Sequence, residues 1–186
     1  LSSGPGATRG GDVRLATLTD ASGSSGNIRL ETGNVPGGIA GDLDLSVGLC
    51  ANDAGAAITM QAGASTSGLG GSTSLIGGDG SCGGELNLQA GSGSCGPGGA
   101  VVMRSGAGTL TSGDACLMSG QATQDSGTIL LATGMGCVSG GVRIATGDSE
   151  GKSGSIDIST GASGQGHGGD ISVSAGDGAT TGGRVE

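Results

Sequence analysis

The chain has 186 residues and a formal net charge of −9; 47 residues are glycine, and Phe, Tyr and Trp are all absent. Seven scattered basic residues and no aromatic rings argue against a nucleic-acid partner, which needs cationic patches and stacking platforms. No apolar run reaches the roughly 20 residues of a membrane span, and glycine does not recur at every third position, which excludes collagen.

A short unit recurs from the first residues to the last. It reads G-x-φ-x-φ-x-(T/S/A)-G, where φ is aliphatic, followed by a turn of small residues. It starts at Gly11 with Val13 and Leu15, and returns at Gly26 with Ile28 and Leu30 and at Gly41 with Leu43 and Leu45. Next come Ile58 with Met60, Thr73 with Leu75, and Leu86 with Leu88. Val101 with Met103, Ala115 with Leu117, and Ile129 with Leu131 follow. The last copies hold Val142 with Ile144, Ile156 with Ile158, and Ile171 with Val173, and a further first slot falls at Val185. Successive copies are 13, 14 or 15 residues apart.

The φ-x-φ alternation is a strand signal, because residues i and i+2 of an extended chain share a face. The following Thr, Ser or Ala has the same parity and belongs to that face. One strand of five or six residues per period predicts an all-β fold, a parallel β-solenoid. It has about 13 coils of ~14 residues, a narrow flattened section and strands ~4.8 Å apart. Residues 1–186 form a single continuous repeat array without a polar cap at either end. A disordered chain is the rival expectation, opposed by the phase-locked aliphatics.

The termini are in phase. Joined tail to head they read G-R-V-E-L-S-S-G, so Val185 and Glu186 meet Leu1 and Ser2 to complete one repeat. This predicts an end-to-end joint and a longer rod, as a covalent array or by assembly of subunits.

The position between the two φ slots is predicted to face outward. It holds Arg14, Arg29, Asp44, Thr59, Ser74 and Asn87 in the first six copies, and Arg143, Asp157 and Ser172 later. Between these, three consecutive copies carry Val102, Cys116 and Leu130, with Met118 and Ile76 in the next outward position. Such a stripe predicts a lateral contact. Arg29 and Asp44, like Arg143 and Asp157, are expected to face each other one coil apart, as weak surface pairs.

Five cysteines form no C-x-x-C pair. Cys82 and Cys95 each lie seven residues after a second φ slot, which predicts a disulfide between adjacent coils. Cys50 and Cys137 fall in turns, and Cys116 is placed to pair between chains. His167, the single histidine, cannot build a triad or a metal cage alone. Asp12, Asn27 and Asp42 precede successive φ slots as an acidic ladder, but later copies lose it, so no metal site is predicted. No cofactor is expected. Asn-x-Ser/Thr sequons are absent, whereas abundant Ser and Thr leave O-linked glycans open.

These features predict a structural, non-enzymatic protein that associates with itself, head to tail and laterally. An ice-binding solenoid is the alternative, but it needs a flat array of outward Thr that is missing here. A carbohydrate-active solenoid would need aromatic platforms and clustered carboxylates. The stretch GSIDISTGASGQGHGGDISVSAG, and the whole chain at the level of period and composition, resembles glycine-rich arrays of very large microalgal surface proteins. That resemblance implies an extracellular fibre, hair or matrix role and carries over no functional residue.

Overall fold

In a computed structural model the described residues are 11–18, 23–51 and 54–186. They contain no helix and no strand. This overturns the expected parallel β-solenoid. In a stack of coils each φ segment would pair with the segments one repeat before and after. The observed backbone hydrogen bonds instead close the short loops between one φ segment and the next. The Gly71 N–H donates to the Gly63 carbonyl (2.9 Å), Gly84 to Gly78 (2.8 Å), Gly113 to Gly106 (3.0 Å) and Gly183 to Gly176 (2.9 Å). The chain falls into two units, Leu1–Gly91 and Ser92–Glu186, each a succession of φ segments and closed loops.

The loop ends are the two conserved-looking ends of the sequence unit. At several necks, the Thr, Ser or Ala that follows the φ slots meets the glycine that opens the next copy. A Cβ placed on Gly26 would lie 3.6 Å from Thr17 Cγ2, one on Gly140 3.7 Å from Thr133 Cγ2, and one on Gly154 3.4 Å from Thr146 Cγ2. These are ordinary van der Waals separations. The small inward residue therefore serves as the neck of a compact loop whose ends lie close together, and not as part of a coil wall.

Two loop types repeat, and the sequence explains both. In Gly63–Gly71 and Gly161–Gly169 the pattern is G-A-S-x-x-G-x-G-G. The Ser65 hydroxyl accepts from the Gly68 N–H and the Ser163 hydroxyl from the Gly166 N–H, each at 2.9 Å. A short hydroxyl side chain thus replaces a backbone acceptor in the turn. In Gly106–Gly113 and Gly176–Gly183 the pattern is G-x-G-x-x-T-x-G. There a Cβ on Gly108 would collide with the Thr111 carbonyl oxygen, and one on Gly178 with that of Thr181. Glycine at these two positions is required by close approach. No described residue, glycine included, has a positive φ.

The φ segments are locally extended, and side-chain parity follows. Arg29 donates from Nε to Glu31 Oε2 at 2.5 Å, and its second guanidinium nitrogen forms an ion pair with the same oxygen. Ser155 Oγ donates to Asp157 Oδ2 at 3.1 Å. Both contacts are i to i+2, along one face of an extended segment. The expected pairing of Arg29 with Asp44 is thereby corrected, because the partner is Glu31 on the same segment.

Among the described residues none is buried. The most covered of them are Ala62, Gly77 and Ala90, at or beside the small residue and glycine that end the φ segments. The chain exposes 18,560 Å², more than twice the roughly 7,800 Å² typical of a compact monomer of its mass.

Candidate association surface

The φ slots are the surface feature with a period. First-slot residues are about half covered, and in every repeat with large aliphatics in both slots the first is the more covered: Ile129 is 45% exposed and Leu131 66%. The order has a local cause. The first slot follows the neck glycine by two residues, so the closed loop shelters it; the second slot lies farther along the free segment.

Other apolar residues behave differently. Leu49, Leu69 and Leu110 stand on loops and are almost fully exposed, at 96–98%. Their spacing is irregular, and single exposed aliphatics of this kind are normal on protein surfaces. Sequence reasoning passed over them because they lie outside the period.

Val102, Met118 and Leu130 are exposed, as are the other large aliphatics among the described residues, and Cys116 is an exposed free thiol. All four belong to Ser92–Glu186. Within that unit the two segments flanking the Gly106–Gly113 loop enclose an open cleft of about 270 Å³. Met103, Ala115, Cys116 and Leu117 line it together with the charged Arg104 and Asp114. The loop closure, fixed by the Gly113–Gly106 hydrogen bond, is what brings these segments side by side.

The expected Cys82–Cys95 bridge is not formed. Both are free and exposed, and they belong to different units, Cys82 to Leu1–Gly91 and Cys95 to Ser92–Glu186. The nearest partner of Cys95 Sγ is the hydroxyl of Ser94, at 3.8 Å. Val185 is exposed at the end of the second unit, while Leu1 and Ser2, its expected partners in the end-to-end joint, lie outside the described residues. His167 occupies the Gly161–Gly169 loop. Among the described residues no three His, Cys, Asp or Glu side chains converge as metal ligands. Comparison with protein-family models, with curated proteins and with solved structures gives no match to this chain.

Proposed function

We propose that this chain is a structural segment of an extracellular filament, fibre or matrix rod, assembled by self-association of its repeats. The observation that carries this reading is the row of half-exposed aliphatic slots, recurring every 13 to 15 residues with no buried residue among those described. Ordering a backbone costs about 1–2 kcal/mol per residue, and an uncovered aliphatic returns little of that. Burial of one such side chain is worth about 1.5–3 kcal/mol, so the slots stabilise the chain only once a neighbour covers them. The neighbour's period must match, or slot and cover drift out of phase within a few repeats. A standard interface removes about 1,600 Å² in total, far less than the surplus surface here. Copies of this chain satisfy both demands along its whole length.

Electron microscopy and sedimentation of the purified chain test this reading. Filaments or sedimentable bundles at micromolar concentration support it. A monodisperse monomer at all concentrations up to hundreds of micromolar overturns it.

A further inference from the structure

The second unit is palindromic about Cys116 in its three thiols and in the pair Val102 and Leu130, while Met118 mirrors Asp114. Val102 lies fourteen residues before Cys116 and Leu130 fourteen after it. Cys95 lies twenty-one residues before and Cys137 twenty-one after. All five are exposed, and the three thiols are free. The remaining cysteines, Cys50 and Cys82, belong to the other unit and have no counterpart at the mirrored positions, Glu150 and Gly182.

A sequence palindrome of this kind has a direct geometric meaning. In an isologous pair a two-fold axis sends residue i of one chain onto residue j of the other, and j onto i. An antiparallel pair with its axis at Cys116 sets Val102 against Leu130 of the second copy, and Cys95 against its Cys137. We propose that Ser92–Glu186 pairs in this way with a second copy of the chain, through the Val102–Cys116–Leu130 patch, and that the three thiols are placed to lock the pair. The proposal rests on the self-association reading and names its register.

Three features of the unit support a second copy as the occupant. The patch replaces the polar residues found at the same position in other repeats with Val102, Cys116 and Leu130 on three consecutive segments, while Arg104 and Asp114 share that face by parity. Cys116 itself lines the cleft with Met103, Ala115 and Leu117 and with the charged Arg104 and Asp114, so the axis position adjoins an open cavity. Cys95 and Cys137 both stand on loops, where they reach beyond the aliphatic segments.

Locking is an ordinary thiol–disulfide exchange. A Cys116 thiolate attacks a low-molecular-weight disulfide such as oxidised glutathione, forms a mixed disulfide and expels one small thiol. The Cys116 thiolate of the second copy then attacks the protein sulfur of that mixed disulfide and expels the other small thiol. Two protein thiols lose two electrons, and one small disulfide gains them. Cys95 and Cys137 of the second copy react in the same way.

The test uses the full chain with Cys50→Ser and Cys82→Ser, incubated with a reduced and oxidised glutathione mixture. The chain's four methionines, Met60, Met103, Met118 and Met135, place Cys95, Cys116 and Cys137 on separate fragments after cyanogen bromide cleavage. The expected product is a covalent dimer whose linked fragments are Cys116 to Cys116 and Cys95 to Cys137. Val102→Asp with Leu130→Asp keeps every thiol and is expected to lower the dimer yield at least tenfold. Cys95–Cys95 and Cys137–Cys137 links would show a parallel register and overturn the proposal. So would a random mixture of links, or a yield that the Asp substitutions leave unchanged. Filaments that form without these links would sink the register and leave the filament reading standing. Mapped dimers that never extend would do the reverse.

Discussion

Leu1–Gly91 places Arg14, Arg29, Asp44, Thr59, Ser74 and Asn87 between its aliphatic slots. Ser92–Glu186 places Val102, Cys116 and Leu130 there in three successive repeats, then returns to Arg143, Asp157 and Ser172. The slots themselves, the closed loops and the neck contacts are common to both units. One face of the φ segments is thus mostly apolar in both units, with Thr73 the polar exception, while the opposite face carries apolar residues at the central position only in part of the second unit. Association through the slots is a property of the repeat; association through the opposite face is a property of one place in the chain. The two faces are separable because an extended segment sends successive side chains to opposite sides.

That contrast can be broken most strongly at the slots. Leu30→Asp with Leu45→Asp in the first unit, or Leu117→Asp with Leu131→Asp in the second, is expected to abolish sedimentable assembly. Two lost aliphatic burials amount to about 3–6 kcal/mol, or roughly two to four decades in association constant. The effect should be alike in the two units, and a sedimentation titration reads it. A clear difference between them would mean that the slots are not equivalent.

On the opposite face the units should respond differently. Leu130→Asp is expected to weaken lateral pairing by about tenfold or more, the value of one buried aliphatic. Thr59→Asp, at the same position of the first unit, is expected to leave it unchanged. Bundle width in negative-stain images, compared with filament length, distinguishes this outcome from a general loss of assembly.

A smaller effect is expected at the loops. Gly108→Ala forces a methyl group toward the Thr111 carbonyl and should open the Gly106–Gly113 loop. One backbone hydrogen bond has a net worth of about 0.5–1.5 kcal/mol, so the Gly113 amide should exchange roughly two- to tenfold faster with solvent. Gly106→Ala, which has open space around its Cβ position, is the control and should change little. Smallest of all is Glu31→Gln, which removes the exposed ion pair with Arg29. Its effect on thermal stability should stay within about 0.5 kcal/mol, and a change beyond 1 kcal/mol would show that this pair sits in an interface.

Much of the surface was legible in the residues. The period placed the slots, parity put Val102, Cys116 and Leu130 opposite them, and the T/S/A and glycine of the motif turned out to be the loop necks. The ladder of stacked strands was not there to be read. A φ-x-φ segment fixes its own extended backbone and says nothing of which segment lies beside it, and the assumption that the nearest repeat does so produced the solenoid. Arg29 shows the same error on a small scale: its outward position was right, while its partner proved to be Glu31, two residues away, and not Asp44 in the next repeat.

Side-chain order along the chain, then, determined the repeat length, the faces and the residues that each face presents. Whether backbone amides pair across a short loop or between stacked segments was decided only in the tertiary structure. Amide and carbonyl groups are alike at every non-proline residue, so composition does not mark their partners. The closure of Gly113 on Gly106 and of Gly183 on Gly176 keeps those bonds within the loop, and leaves the aliphatic slots to be covered from outside.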